Sequence, residues 1–306
     1  MKKVLITGAN SYIGNSFADW VEKQNAVCSP EEKLEPEKVS LRGLEWTKQD
    51  WSGYDAVLHV AGLAHADVGH TDETTRQKYY SVNRDLTIAA ASKAKREGVR
   101  QFIYMSSIII YGDSAPIGQE KVITADTQPS PAGFYGDSKL QAELGILPLQ
   151  DENFQVVVIR TPMVYGESSK GNFPKLVKMA EKISIFPMIN NYRSMIYIRN
   201  LCELLRLVIV HDRKGIFYPQ NREQISTSQL VYLIGNALGK KIHLIKGLSG
   251  ALKLAGLLTG YIGKIFGSLT YEQKMSEQSM NYCRYSVEES VCETIRTEKR
   301  LKNDAK

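Results

Sequence analysis

The sequence predicts an α/β fold built on a doubly wound parallel sheet, followed by a smaller, mostly helical second domain. Three observations predict it. The chain opens on Lys2 to Gly14, where the apolar run Val4-Leu5-Ile6 passes through Thr7-Gly8 into a helical pattern. Apolar runs then alternate with helical segments as far as Gly166. The runs are unbroken and β-branched, as in Val156 to Ile159, which is the pattern of strands buried on both faces. With 306 residues, 43% of them hydrophobic, the chain can build one large or two moderate cores, and disorder is excluded.

The elements follow in order. The first strand gives way to a helix over Asn15 to Lys23, with Phe17, Ala18, Trp20 and Val21 on its packed side. Ala26 to Cys28 reads as a short second strand, and the charged stretch Glu31 to Lys38, broken by Pro36, as a loop. Ala56 to Val60 is a third strand, running into the small residues Ala61-Gly62 between His59 and His65. Thr71 to Gly98 has helical spacing, with Asn83 on it and Gly98 as its stop. Gln101 to Met105 is the fourth strand and ends in Ser106-Ser107. Asp113 to Gly133, with three prolines, is a long loop of the kind that often carries function. A helix opens at Tyr135 and runs through Glu143, and Val156 to Ile159 is the next strand. Beyond Gly166 the alternation is lost: Gly171-Asn172 starts a helix, Arg193 to Ile198 is a short strand, Leu201 to Val210 a helix, and helices dominate from Ser226. The tail after Arg296 is charged and reads as frayed.

Charge and cysteines narrow the class. A net charge of +6 spread along the chain describes a solvated surface, not a nucleic-acid footprint. Cys28, Cys202, Cys283 and Cys292 are far apart, so reduced thiols in a cytoplasmic protein are expected, with no disulfide framework and no metal. No signal peptide is expected. Leu248 to Leu269 is apolar, but Lys253 and Lys264 leave a run too short to span a membrane; it reads as core helices, with an interfacial segment as the alternative.

The chemistry is carried by three features in a fixed order. Strand, glycine turn and helix form the context in which Gly8 and Gly14 mean dinucleotide binding, since the turn and the helix N-terminus receive a pyrophosphate. The middle glycine of that pattern is replaced by Ser11. No acid ends the short second strand, and Glu31 and Glu32 come slightly later, so NAD and NADP both stay open. Tyr135 and Lys139 stand four residues apart, stacked on one helix face. The ammonium is expected to favour the phenolate and bring the tyrosine toward the working range. Ser107, at a strand end, can orient a substrate oxygen between them.

This combination resembles the extended short-chain dehydrogenase/reductase family of nucleotide-sugar epimerases, reductases and dehydratases. The resemblance covers nearly the whole chain and implies a Rossmann-type fold. It implies catalytic roles for Ser107, Tyr135 and Lys139. It implies cofactor contacts by Gly8, Asn10, Ser11, Tyr12, Ile13, Asp50, Trp51, Val60, Ala61, Gly62, Asn83, Tyr135, Lys139 and Pro162. Substrate contacts are implied for Ser107, Tyr135, Asn172 and Arg193, the last on a UDP pyrophosphate. Arg199-Asn200 departs from the acidic residues usual after that strand. Residues 1–165, with 191–220 returning, would bind the dinucleotide; 166–190 and 221–306 would bind the nucleotide sugar. Ile108 and Ile109 stand where the family's dehydratases carry an acidic pair, which argues against dehydration. The pattern is similar to bacterial UDP-hexosamine 4-reductases and 4-epimerases of polysaccharide assembly. The preferred expectation is reduction of a UDP-4-keto-6-deoxy-N-acetylhexosamine; the alternative is a UDP-glucose or UDP-N-acetylglucosamine 4-epimerase with tightly bound NAD. A homodimer through the helices at 71–98 and 135–147 is implied by the same analogy.

Overall fold

The computed structural model describes residues 1–64, 72–247, 266–277 and 280–304. His65 and most of the apolar stretch 248–269 lie outside the described residues. In chain order the elements are β1 (Lys2–Thr7), α1 (Tyr12–Asn25), β2 (Leu34–Val39), β3 (Ala56–His59), α2 (Glu73–Tyr80), α3 (Leu86–Arg96), β4 (Gln101–Ser107), β5 (Val122–Ile123), α4 (Phe134–Ile146), β6 (Gln155–Thr161), β7 (Met163–Tyr165), α5 (Asn172–Ala180), β8 (Ile185–Pro187), β9 (Met195–Tyr197), α6 (Ile198–Val210), β10 (Gly215–Phe217), α7 (Thr227–Leu238), β11 (His243–Ile245), β12 (Thr270–Tyr271), α8 (Gln273–Ser276) and α9 (Val287–Asp304).

Two compact units share the chain. Met1–Gly112, Gln128–Pro162 and Leu201–Pro219 make the first; Asp113–Thr127, Met163–Asn200 and Gln220–Lys306 make the second. Residues 113–127 and 191–200, read from sequence with the first body, group with the second.

The first unit is an all-parallel six-stranded sheet in the order β10-β6-β4-β3-β1-β2. Val4, Ile6, Val57, Leu58, Phe102, Ile103 and Val156 to Ile159 are fully buried, as their unbroken apolar runs require. From β1 the chain crosses to β2 on one side and returns to β3 on the other. That reversal makes β1 and β3 the switch point where open α/β sheets bind ligands. Small residues let the covering helices approach: Ala90, Ala91 and Ala94 of α3 and Ala142 of α4 are fully buried. A Cβ on Gly145 of α4 would meet Ile88 of α3 at 2.3 Å. Between α2 and α3 the helix takes a single π-helical turn, Ser81–Asp85, centred on Asn83.

The described residues of the second unit are helical with three small parallel strand pairs, β7·β9, β5·β12 and β8·β11. β5 lies in the stretch read from sequence as an unbroken loop. Among the described residues no helix is long and apolar enough to cross a membrane, and the four cysteines are unbridged.

Two expectations are corrected. The second strand is Leu34–Val39, and Ala26 to Cys28 belongs to the turn after α1. β2 is an edge strand, where Pro36 needs no bond on the open side and charged side chains face water. The tail beyond Arg296 is helical to Asp304. Lys299 Nζ donates to the Ala237 carbonyl at 3.4 Å, and Lys302 pairs with Glu181 at 3.9 Å, which ties the charged end down.

Candidate active site

The glycine turn is shaped by contacts at the switch point. Gly8 takes φ +100°, and a Cβ there would stand 3.0 Å from the Ala61 nitrogen, so the turn lies directly against the end of β3. The Gly8 and Ala9 N–H groups both donate to the Val39 carbonyl, at 2.8 and 3.2 Å, which stitches the turn to the end of β2. Ser11, in place of a glycine, is the N-cap of α1, and its Oγ accepts from Gly14 N at 2.9 Å. A Cβ on Gly14 would meet Ile6 Cγ2 at 2.9 Å and Val60 Cγ2 at 3.1 Å, so this glycine brings the helix onto the sheet. A close backbone cradle at the N-terminal, positive end of α1 fits a dinucleotide pyrophosphate. Asn10 is exposed at the turn, and Tyr12 and Ile13 are half-buried in the first turn of α1.

The chemical groups converge where β4 ends. Gly136 lets the first turn of α4 press on the 3₁₀ turn Ile108–Tyr111, since a Cβ there would stand 2.8 Å from the Ile109 carbonyl oxygen. The α4 stripe Tyr135, Lys139 and Glu143 then meets three successive β4 residues. Ser107 hydrogen-bonds the Tyr135 phenol. Lys139 Nζ donates to the Met105 carbonyl at 2.9 Å, and the Ser106 hydroxyl donates to Glu143. Glu143, 1% exposed, also takes a bidentate bond from Arg160 of β6, with Nη2 to Oε2 at 2.7 Å. Arg160 continues to the Tyr111 hydroxyl at 2.6 Å and to Tyr218 at 3.3 Å.

Burial sets the protonation states. It pushes the Tyr135 phenol up to about 12, against the Ser107 hydrogen bond that lowers it. The expectation that Lys139 would draw this phenol down is not met: burial raises it, and the influence that lowers it is the Ser107 hydrogen bond. Burial also brings the Lys139 ammonium down to about 8, with the Glu143 carboxylate opposing. At neutral pH Tyr135 is therefore a protonated phenol, and Lys139, one helical turn further on, an ammonium.

A buried polar chain backs the same residues. Thr7 Oγ1 lies 2.8 Å from His59 Nδ1, and His59 Nε2 lies 2.9 Å from Thr87 Oγ1, which donates to the Asn83 carbonyl at 2.8 Å. Asn83 Nδ2 donates to Ser138 Oγ at 3.1 Å, and Asn83 Oδ1 accepts from Leu63 N at 2.7 Å. A Cβ on Gly62 would stand 3.2 Å from both Asn83 Oδ1 and Lys139 Nζ, so Gly62 marks the floor between them. His59 is held neutral by burial, at about 3, with the Lys139 charge adding to the effect.

The remaining expected residues are placed as follows. Val60 and Ala61 follow β3 beside the turn, and Pro162 is buried directly after β6. Asp50 is exposed and accepts from Ser52 N at 2.9 Å. The Trp51 ring is wholly within the core, against Trp46 at 5.7 Å between centroids, and is not available to a ligand face. Asn172 opens α5, and Arg193 donates to Ser114 Oγ at 2.7 Å; both belong to the second unit. Glu31 and Glu32 precede β2, at the end of the strand remote from the glycine turn, and Glu32 pairs with Arg206 at 3.2 Å. Sequence reasoning passed over Ser106, Glu143 and Arg160. Two signals were available: Glu143 repeats the four-residue step of Tyr135 and Lys139, and Arg160 is a lone cation closing an apolar strand.

A dinucleotide cradle at the switch point, with a serine, tyrosine and lysine at the end of the fourth strand, defines an extended short-chain dehydrogenase/reductase. Residues 4–218 match the model of the NAD dependent epimerase/dehydratase family. The chain belongs to that family and is an enzyme working with a nicotinamide dinucleotide, NAD or NADP. It is 25% identical over 299 residues to UDP-glucose 4-epimerase of Vibrio cholerae, covering 92% of this chain and 90% of the relative. It is 26% identical over 287 residues to N-acetyl-alpha-D-glucosaminyl-diphospho-ditrans,octacis-undecaprenol 4-epimerase of Escherichia coli O157:H7, covering 87% and 80%. The solved UDP-N-acetylglucosamine 4-epimerase of Bacillus cereus shares the fold, with a TM-score of 0.73 at 16% identity, covering 98% of this chain and 100% of that one.

Proposed function

We propose that the protein is a UDP-sugar 4-reductase that converts a UDP-4-keto-6-deoxy-N-acetylhexosamine to the corresponding alcohol. The observation that carries this reading is the geometry of the corner, with Tyr135 hydrogen-bonded to Ser107 at the end of β4 and Lys139 one helical turn further along α4. Reduction of a ketone needs a proton at the carbonyl oxygen, and a phenol, protonated at neutral pH, can supply it. A bound reduced nicotinamide supplies the hydride to the sugar C4. Ser107 and Tyr135 hold the C4 oxygen by hydrogen bonds, and Tyr135 gives it the proton as the carbonyl becomes an alcohol. Lys139 stabilises the phenolate left behind and holds the ribose hydroxyls. Gly8, Ser11 and the start of α1 receive the pyrophosphate. The first unit binds the dinucleotide; in the second, Arg193 and Asn172 bind the UDP portion.

The second reading is a 4-epimerase acting on UDP-glucose or UDP-N-acetylglucosamine with NAD retained; the names of the Vibrio and Escherichia relatives favour it. In that case Tyr135 must first act as a base. Supplying UDP-4-keto-6-deoxy-N-acetylglucosamine and following nicotinamide absorbance separates the two. The reductase consumes reduced cofactor in proportion to product. No such loss, together with interconversion of UDP-glucose and UDP-galactose or their N-acetyl forms, overturns the reductase. A role in polysaccharide assembly, a cytoplasmic location and a homodimer through α2, α3 and α4 belong to the same proposal. Leu144 of α4 is 60% exposed, as a partner-facing residue would be, and light scattering tests the dimer.

A further inference from the structure

β2 ends beside the glycine turn, because its last residue, Val39, accepts from both Gly8 N and Ala9 N. The side chains after Val39 therefore stand next to the place where the turn receives a pyrophosphate. In doubly wound folds this strand end meets the adenosine ribose: a carboxylate there accepts the 2′-hydroxyl of NAD, and an arginine accommodates the 2′-phosphate of NADP. Here the sequence is Ser40-Leu41-Arg42-Gly43. Leu41 is buried and pins the segment to the core, while Ser40 and Arg42 are exposed. Arg42 N donates to Ser40 Oγ at 3.3 Å, which sets the two side chains on one short turn, and Gly43 at φ +72° ends it. Among the described residues Arg42 makes no ion pair. Lys38 adds a second cation at the strand end, its Nζ donating to Asn15 Oδ1 on α1 at 2.8 Å. The flanking carboxylates are engaged elsewhere: Glu37 accepts from the Tyr54 hydroxyl, and Glu45 pairs with Lys48.

We infer that the dinucleotide is NADP(H), with Arg42 and the Ser40 hydroxyl binding its 2′-phosphate. The inference rests on the reading of the first unit as the dinucleotide site. It also names the exchangeable reduced cofactor that a 4-reductase consumes.

Equilibrium binding by calorimetry tests it without turnover, using NADPH, NADH and adenosine 2′,5′-bisphosphate as probes. NADPH is expected to bind about tenfold to a hundredfold more tightly than NADH, the range for charge-assisted phosphate contacts. Arg42→Ala should remove most of that preference while leaving NADH affinity within about twofold. Ser40→Asp should reverse the preference, since a carboxylate repels the phosphate and accepts the 2′-hydroxyl. Both residues are exposed, so circular dichroism of each variant should match the parent. Equal or tighter binding of NADH by the unaltered protein overturns the NADP assignment alone. Failure of all three probes to bind overturns the dinucleotide reading of the unit and the assignment with it.

Discussion

The β4–α4 corner and the β2 edge lie on the same carboxyl side of one sheet, yet they are built in opposite ways. At the corner the charged groups that continue the Tyr135 stripe are buried and partnered: Glu143 by Ser106 and Arg160, and Lys139 by the Met105 carbonyl. At the edge Ser40 and Arg42 are exposed and share one weak hydrogen bond. Buried groups feel a low dielectric, so their proton affinities move and reactivity can be set there. Exposed groups keep ordinary chemistry and can change at little cost to stability, which suits a choice between two cofactors. On the proposed reading, reactivity would be set at the packed centre of the sheet and cofactor choice at its open edge.

The largest effect should come from Tyr135, the corner residue proposed to give up a proton. Tyr135→Phe keeps the ring and its edge contact with Tyr79 but removes the acid. Turnover should fall about 10²–10⁴-fold, with dinucleotide binding unchanged by calorimetry. Unaltered turnover would leave the corner a structural feature no different from the edge.

Next is the buried pair behind it. Glu143→Ala leaves the Arg160 guanidinium buried without its carboxylate and should cost about 3–5 kcal/mol in urea unfolding. Glu143→Leu combined with Arg160→Met should recover most of that loss, because an apolar pair of similar volume needs no partner. The same variants remove the negative charge that supports Lys139, so a pH profile governed by its ammonium should move below about 8. If the single and double variants are equally unstable, packing and not charge pairing holds the corner.

Glycines sharpen the contrast on a smaller scale. Gly14→Ala forces a Cβ onto Ile6 and Val60 and should cost about 1–3 kcal/mol. Gly43, at the edge, has nothing within 4 Å of its missing Cβ, and only its φ of +72° demands glycine. Gly43→Asn, which tolerates that backbone region, should therefore cost less than Gly43→Ala, whereas Gly14→Asn should cost more than Gly14→Ala. Thermal unfolding of the four variants decides it.

The same contrast explains what could be read in the sequence. The corner was legible because helix geometry converts spacing into position: Tyr135 and Lys139 must share a face, and Ser107 closes a strand too apolar to be anything else. The edge was not, because an exposed strand such as Leu34–Val39 shows neither an apolar run nor clean alternation, and Pro36 mimics a loop. The segment proposed to face the ribose, Ser40 to Arg42, therefore follows this strand, whereas Glu31 and Glu32 precede it. The raised Tyr135 phenol was also hidden, since spacing places a lysine on the same helix face but does not reveal the burial that raises the phenol. Glu143 and Arg160 were missed for a related reason: each looks like an ordinary charge until the fold buries both.

The smallest effect tests how far the corner's burial reaches. Thr87 donates its hydroxyl to the Asn83 carbonyl, so it must accept from His59 Nε2–H, and Nδ1 is left to accept from Thr7. The imidazole is thus one neutral tautomer, held at about 3 against an ordinary value of 6.5. The unfolded chain takes up this proton below 6.5 while the folded protein refuses it until about 3. The stabilising contribution of a neutral His59 is therefore complete above pH 6.5 and is lost progressively as the pH falls toward 3. His59→Asn should be less stable than the parent at pH 7, by about 1–3 kcal/mol for the lost hydrogen bonds. The gap should narrow as the pH drops, because only the parent loses stability to this proton. Urea midpoints measured from pH 7 to pH 4 give the answer: a gap that stays constant would mean that His59 titrates as an exposed histidine does, and that the polar chain behind Asn83 is open to water.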